Sequence, residues 1–554
     1  MLNTLKLNNF VFVVSFLYAF LMLFSCQKNL EINIVSPERG SIFDKNDQVP
    51  IYITTFGGKI FINNVNTGKS FEYSANLPPK QGLVFIKASK PGEDLFDVVS
   101  YLQGDLRNSE NFLSQAVKAN LGENIINNEE VSFASLTSDL MQGEELVSFV
   151  ENPIIINTEI AYVPVTIVVN VTSVVSSDID VNLKFENEKL KFSSVLHNVN
   201  IEYTSDSSGL KSSGMAFYEQ MNVSGELVLN LKDVDLINIK ASASEPEIHD
   251  NGGIPDVVFS LFSDDLNEKV KEAIAVTTKN ASKSVFHTLM TKLIPKISLE
   301  FDKPIEQFTE TEQINTTTNA VNLSYKTKVY AKNPQKKIDN HKFLITENDY
   351  LTSSKDMTLS FGSNLVNQIA FAMWNAGNTD NITYTKDELI ALGMDKPSGF
   401  YSKFEKTVIN LLLPPVLEWE NQTPYLAMGG IEMKIFLDGG DSITARTASK
   451  VPVKLLFDED YVMLEMNESK KIQIYDISYN KTNTLLKTNK TNHLLATAMP
   501  GVVKDLFGKF PIVKMTSVKL PKLNFNDYIN LSTKVTKMET HDQHWIMHLS
   551  FYKK

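Results

Sequence analysis

Residues 263–293 read SDDLNEKVKEAIAVTTKNASKSVFHTLMTKL, and the reading of this stretch decides the fold. Ser263 is a candidate N-cap, and Asp264 and Asp265 follow in the first turn, where carboxylates complement the positive end of a helix dipole. Leu266, Val270 and Ile274 recur every four residues, and Val285, Leu289 and Leu293 repeat that spacing beyond the polar TTKN at 277–280. The pattern predicts a single helix of roughly 45 Å. A strict four-residue repeat advances about 40° per step, so the apolar stripe winds around the helix, which suits a twisted sheet wrapped round it. The polar centre then marks where the helix leaves the sheet's cover or reaches the mouth of the tube, with Thr277 to Asn280 exposed.

The chain has 554 residues, too many for one core, and predicts about three or four domains. Its 43% hydrophobic and 21% charged content is ordinary for a globular protein. The net charge of -12 argues against nucleic acid or an anionic membrane surface as the main partner, since both select for basic faces.

Residues 1–26, MLNTLKLNNFVFVVSFLYAFLMLFSC, have a short basic start at Lys6 and then an uncharged run from Phe10 to Ser25. That is a signal-type apolar segment, short for a spanning helix. It ends on Cys26, the only cysteine, so the sequence offers no internal disulfide and no thiolate metal site.

Beyond the leader, residues 27–95 read as a small all-β sandwich: Leu30, Ile32 and Ile34 alternate, and KIFINNV, FEYSANL and GLVFIKAS follow with Gly, Pro or Asn between them. VSFASLTSDLMQGEELVSFV at 131–150 has helical spacing. It precedes long alternating strands, VPVTIVVNVTSV, DIDVNLKF, VNIEY and VSGELVLNL. The helix at 263–293 closes this first unit, 105–310. A second unit, 320–554, repeats the order: the strand NLSYKTKVYA, a helix carrying Leu365, Ile369 and Met373, paired strands either side of DGGD at 438–441, a second long helix at 492–507, and closing strands. The fold class expected is therefore α+β, with two units of strands, long helix and strands behind a β-sandwich.

Several of these stretches carry a resemblance. FGSNLVNQIAFAMWNAG, LLLPPVLEWENQTPYLAMGGIEMKIF, HLLATAMPGVVKDLFG, FPIVKMTSVKLPKL and a terminal strand closing YKK occur in the order of the second domain of the bactericidal/permeability-increasing and lipopolysaccharide-binding protein family. The stretch from IPDVVFSLF to TKLIP resembles that family's first-domain helix, and FSC at 24–26 resembles a bacterial lipobox. The resemblance implies two tandem tubular lipid-binding domains, each a long helix wrapped by a curved antiparallel sheet, with no catalytic residue and no cofactor. Cys26 would be the lipidated residue, and Gln27 after it favours the outer membrane, facing either the periplasm or the cell surface. The sandwich resembles an Ig-like spacer. Three departures stand against the vertebrate members: no cysteine for the first-domain disulfide, no proline-rich linker, and an acidic balance where strong lipopolysaccharide binders present a cationic tip.

Acyl chains would be held along the apolar stripes. The candidates are Leu266, Val270, Ile274, Val285 and Leu289 in the first unit, and Leu365, Ile369, Leu494, Leu495 and Val502 in the second. Each buried methylene contributes about 0.8 kcal/mol. The expected function is lipid binding or transfer in the bacterial envelope, with phospholipid or another acyl lipid as partner and the membrane reached through the anchor; the alternative is an adhesion or envelope-assembly module with filled tubes. No protein partner is indicated.

Catalytic patterns are sparse: G-x-S-x-G, HExxH and phosphate-binding glycine loops are all missing from the sequence. In HDQHWIMH, strand alternation puts His544 and His548 on the wetter face and Trp545, Met547, Leu549 and Phe551 on the other, so a metal site is not expected. Ser442 lies beside a Gly-Gly hairpin without a histidine placed by any matching motif, and an esterase role is not expected there.

Overall fold

The computed structural model describes residues 32–553 except 56, 91–95, 143–146, 148, 149, 151, 161, 208, 232, 233, 251–255, 293–296, 300, 301, 337–341, 347–353, 392–403, 441, 459, 460, 480–509, 515, 516, 522–527 and 542. It overturns the α+β expectation: the protein is 15% helix and 63% strand, mostly β, with three curled half-barrel sheets. The physical reason lies in strand length. Lys189–Ser207 and Leu210–Leu229 run 19 and 20 residues, so period-two alternation outweighs the helical segments. The expected helix at 492–507, with Leu494, Leu495 and Val502, lies outside the described residues, as do Cys26 and the rest of the leader.

The first curled sheet has the strand order Ile154–Ile160, Val163–Val175, Lys189–Ser207, Leu210–Leu229, Val234–Ala243, with Asp178–Glu186 and Glu247–Asp250 paired to inner strands. Register shifts at Val171/Ser173 and Ser224/Glu226 bend the long strands and deepen the curl. The long helix spans Asp256–Lys292, 37 residues, so Ser263 is inside it rather than at its cap. It is not wrapped by the sheet. It lies along the last strand, Val234–Ala243, and also touches the first, Ile154–Ile160, closing the open side of the half-barrel.

The polar centre of this helix also departs from expectation. Thr277 and Thr278 are fully buried, while Val276 is 46% exposed. Thr277 Oγ1 donates to Ala273 O at 2.9 Å, and Ala273, Ala281 and Ser282 are buried with it. Small side chains here let the helix approach the closing strand, with Lys279 paired to Asp235 at 2.6 Å on the outer side. The short helix Phe133–Met141 starts in a capping box, Ser135 N donating to Ser132 Oγ and Ser132 N to Ser135 Oγ, and stops before Gly143. Its Phe133 ring packs against Phe286 at 4.6 Å and Phe551 at 6.4 Å.

An eight-stranded central sheet joins the two halves of the chain. Its order is Ile297–Leu299, Ile305–Thr316, Ala320–Ala331, Leu113–Gly122, Met357–Gly362, His544–Lys553, Tyr528–His541, Val518–Pro521. One apolar core runs from the first curled sheet through this sheet into the third, the nine-stranded sheet built from Ile382–Thr385 to Phe510–Lys514. The helix Ser363–Ala376 packs at the junction, and its polar residues clip neighbouring backbone. Asn367 accepts from Leu417 N and donates to Leu344 O, and Asn364 bonds Thr346 N and O. This explains Asn and Gln in an otherwise apolar helix.

Residues 32–108 form two facing sheets with their own core of Ile32, Ile34, Val49, Ile51, Ile53, Val84, Ile86 and Tyr101. The unit is docked on the third sheet. Phe85 stacks on Tyr475 at 4.7 Å, Leu83 N donates to Glu418 Oε1 at 2.7 Å, and Lys87 pairs with Asp476 at 3.0 Å. Gly429 and Gly430 make room: a Cβ on Gly429 would lie 2.3 Å from Leu83 Cδ1, and Gly430 N donates to Ser100 Oγ at 2.5 Å. Lys450 bridges Glu418 and Glu420 at 2.7 and 2.6 Å; burial works against its charge, but the two carboxylates win and hold its ammonium above the usual lysine range.

Candidate functional site

The interior of the first curled sheet is the candidate site. Alternation puts Ile167, Val169, Phe192, Leu196, Ile201 and Leu227 on its inner face, all buried. The long helix adds Val270, Ile274, Val285 and Leu289, each at most 1% exposed. Leu266 belongs to the same helix, but its side chain lies outside the described residues. The interior is dry enough that burial pushes the Tyr218 phenol up to about 12 and the Tyr325 phenol further up. Tyr325 reaches from the central sheet to donate its hydroxyl to Met290 O at 3.2 Å, holding the C-terminal turn of the long helix.

Within this aliphatic interior are polar atoms that have no hydrogen-bond partner among the described residues. Thr278 Oγ1 and Ser282 Oγ sit on the helix, and Ser194 Oγ and Ser205 Oγ lie on the inner face of Lys189–Ser207. The sequence pattern placed Thr278 in an exposed polar centre and gave no role to Ser282, Ser194 or Ser205, because a hydroxyl in an apolar stripe looks like a break in the pattern. The only available signal was that polar centre itself.

A second group stands where the central and third sheets meet. Leu365 and Ile369 are fully buried, but they pack between the central sheet and Val416–Glu420 on the junction helix. Beside them Trp545 meets Trp419 at 4.9 Å and Phe361 at 5.7 Å. Trp419 Nε1 donates to Ser363 Oγ at 2.7 Å, while the buried Trp545 Nε1 has no partner among the described residues. Two open grooves of about 560 and 860 Å³ flank the docked sandwich, but polar residues such as Lys45, Asp105, Asp44, Asp47 and Lys342 line them.

The terminal histidines lie on the outer face of the last hairpin. His541 and His548 approach Glu539 at 3.1 and 3.3 Å, and Lys537 bonds the same carboxylate. Contact with Lys537 and then His541 holds the Glu539 carboxyl down at about 2. Among the described residues no group of three or more His, Cys, Asp or Glu has metal-holding geometry. No helix among them is long and apolar enough to cross a membrane.

No family model matches the chain, and no curated protein matches it. Among solved structures it is similar to a lipopolysaccharide binding protein, with 13% identity, 80% of this chain and 100% of that one covered, and a TM-score of 0.45. It is also similar to P47 of Clostridium botulinum A2, at 8% identity, 79% and 98% coverage and TM-score 0.27. P47 of Clostridium botulinum E1 matches at 10% identity, 79% and 99% coverage and TM-score 0.23. Likeness this distant transfers no residue role to this chain.

Proposed function

We propose that this chain is a lipid-binding protein of the bacterial envelope, anchored through Cys26 at the outer membrane, that holds an acyl lipid inside its first curled sheet. The observation that carries the reading is the set of unpartnered hydroxyls of Thr278, Ser282, Ser194 and Ser205 within an aliphatic interior. Each buried, unsatisfied polar group costs about 1–3 kcal/mol. An ester or phosphate oxygen of a lipid would accept from Thr278 and Ser282, one helical turn apart, while its chain lies along Val270, Ile274, Val285 and Leu289; Ser194 and Ser205, roughly 36 Å apart on their strand, would meet other parts of the lipid. The Trp545 indole N–H offers a second donor at the sheet junction. The motif order shared with the bactericidal/permeability-increasing and lipopolysaccharide-binding protein family supports the same reading from the sequence side.

Native mass spectrometry of protein purified from cells should show a co-purifying lipid, and the pair Thr278→Val and Ser282→Ala should lower its occupancy while leaving the fold intact. Protein that carries no lipid and takes up no fluorescent fatty acid would sink the reading. The second reading, an adhesion or assembly module, is favoured by the complete burial of the same helix stripe. It predicts that Thr278→Val raises stability and changes no ligand content.

A further inference from the structure

The hairpin formed by Ile154–Ile160 and Val163–Val175 overhangs the first curled sheet. Val163–Val175 begins to pair with Lys189–Ser207 only at Ile167, opposite Ser207. Residues 163–166 and their partners 157–160 therefore run on as a two-stranded finger of about 13 Å. The sequence from Ile160 to Val165 is IAYVPV, without a charge. Tyr162 is 97% exposed and Val163 59%. Val163 belongs to the inward-facing set with Val165 and Ile167, and it is exposed because the finger has left the sheet behind.

The turn itself breaks the local rule. Tyr162 has φ 67°, the left-handed region that a bulky side chain adopts at a cost and that favours Asn or Gly. Gln115, Glu188, Gln422 and Gln543 also take this conformation, so what sets Tyr162 apart is that its side chain is aromatic where the other two-residue loops are polar. The two-residue loops between Ile62 and Val65, Glu186 and Lys189, and Glu420 and Thr423 hold Asn63-Asn64, Asn187-Glu188 and Asn421-Gln422. Those between Ser207 and Leu210 and between His541 and His544 are also polar by sequence. An exposed tyrosine in a strained turn contributes nothing to this fold, which marks the position for contact with something else.

We infer that this finger is a shallow membrane-docking element that sets Tyr162 and Val163 into the headgroup boundary of a lipid bilayer. Size selects the partner. A tyrosine ring offers about 150–250 Å² and each aliphatic side chain less, far below the roughly 800 Å² per partner that a stable protein pair buries. A bilayer boundary, by contrast, accepts apolar side chains to a depth of about 5–10 Å and favours tyrosine. Depth is limited because the overhanging strands have edges that pair with no other strand among the described residues, and such edges cannot enter hydrocarbon. The finger carries Glu159 and no cation from 160 to 165, so docking should be insensitive to salt. This goes beyond lipid binding inside the sheet, because vesicle contact at the tip requires no acyl uptake.

The test uses the full chain with Cys26→Ser and an environment-sensitive fluorophore on Tyr162→Cys, mixed with phosphatidylcholine vesicles. The control is the same probe on Asn187→Cys, at the other end of Lys189–Ser207. The probe at 162 should shift to the blue on vesicle addition and be quenched from the headgroup level, while the probe at 187 stays unchanged. Val163→Asp in the labelled chain should weaken vesicle binding about tenfold. Tyr162→Asn suits the left-handed turn, so it should keep or raise the thermal midpoint while reducing vesicle co-flotation. A silent probe at 162, an equal response at 187, a vesicle-independent response that follows protein concentration, or undiminished co-flotation of Tyr162→Asn would overturn the inference. Lipid content by mass spectrometry should be unchanged in Tyr162→Asn, which separates this outcome from failure of the interior site.

Discussion

Replacing Asp97 with Ala should loosen the N-terminal sandwich from within. Its carboxylate accepts from Arg39 Nη2 at 2.9 and 2.7 Å, from Ile34 N and Val98 N at 2.9 Å, and from Ser478 Oγ at 3.4 Å. Asp97 is 6% exposed and the Arg39 side chain 30%. Removing one partner of a buried pair costs about 3–5 kcal/mol; because Arg39 keeps partial access to water, the lower end applies, about 3 kcal/mol. The Ile34 N–H, on a residue 3% exposed, loses its acceptor as well. At about 1.4 kcal/mol per decade, amides opening with the sandwich should exchange roughly 150-fold faster. Native-state hydrogen exchange over Ile32–Ser36 and Phe96–Asn108 reads this, and Ser478→Ala, which removes only a long contact, should change those rates little. Protection within threefold of the parent in Asp97→Ala would refute the view that this carboxylate holds the unit together.

Three further outcomes are expected. Contact with Lys191 and then Lys189, at 2.5 and 2.9 Å, holds the Glu226 carboxyl at about 2, against an ordinary 4.5. Its contribution is therefore present above pH 4.5 and lost as pH falls toward 2, and Glu226→Gln should flatten acid unfolding in that window, followed by circular dichroism. Tyr325→Phe removes the hydroxyl on Met290 O, where Thr311 Oγ1 also donates at 3.4 Å, and should cost about 1 kcal/mol, seen as faster exchange in the last turn of the long helix. In Gly122→Ala the new Cβ would lie 2.2 Å from Ser354 O, next to the Asn120 Nδ2 bond to that oxygen at 2.8 Å. Relief by backbone movement should cost about 1–3 kcal/mol in chemical denaturation; an unchanged midpoint would show that this approach is not needed.

Strand alternation was legible in the sequence because it is local. VPVTIVVNVTSV and DIDVNLKF fall in Val163–Val175 and Asp178–Glu186, and VSGELVLNL falls in Leu210–Leu229 but for its last two residues; the apolar face of HWIMHLSFYKK, with Trp545, Met547 and Leu549, is buried as alternation requires. Val270, Ile274, Val285 and Leu289 were legible as buried for the same reason: a stripe records which positions avoid water. What a stripe cannot record is the object it faces. The long helix closes the gap between Ile154–Ile160 and Val234–Ala243 instead of threading the sheet, and that depends on where strands 74 or more residues apart in sequence come to rest. The burial of Thr277 and Thr278 follows from the same placement, since short side chains are needed where helix and closing strand approach. Their polarity concealed this.

By itself, then, the sequence determined strand identity, the apolar faces and the long helix, because each depends on neighbours within a few residues. Tertiary structure decided that the protein is mostly β, and that the central sheet takes strands from Leu113 to Lys553. It also seated the N-terminal sandwich on Glu418, Tyr475 and Asp476, and put unpartnered hydroxyls inside the first curled sheet. Each of these is a pairing across long stretches of chain, chosen by register, close approach at glycines and the need to cover apolar faces. No window of sequence contains both partners of such a pairing.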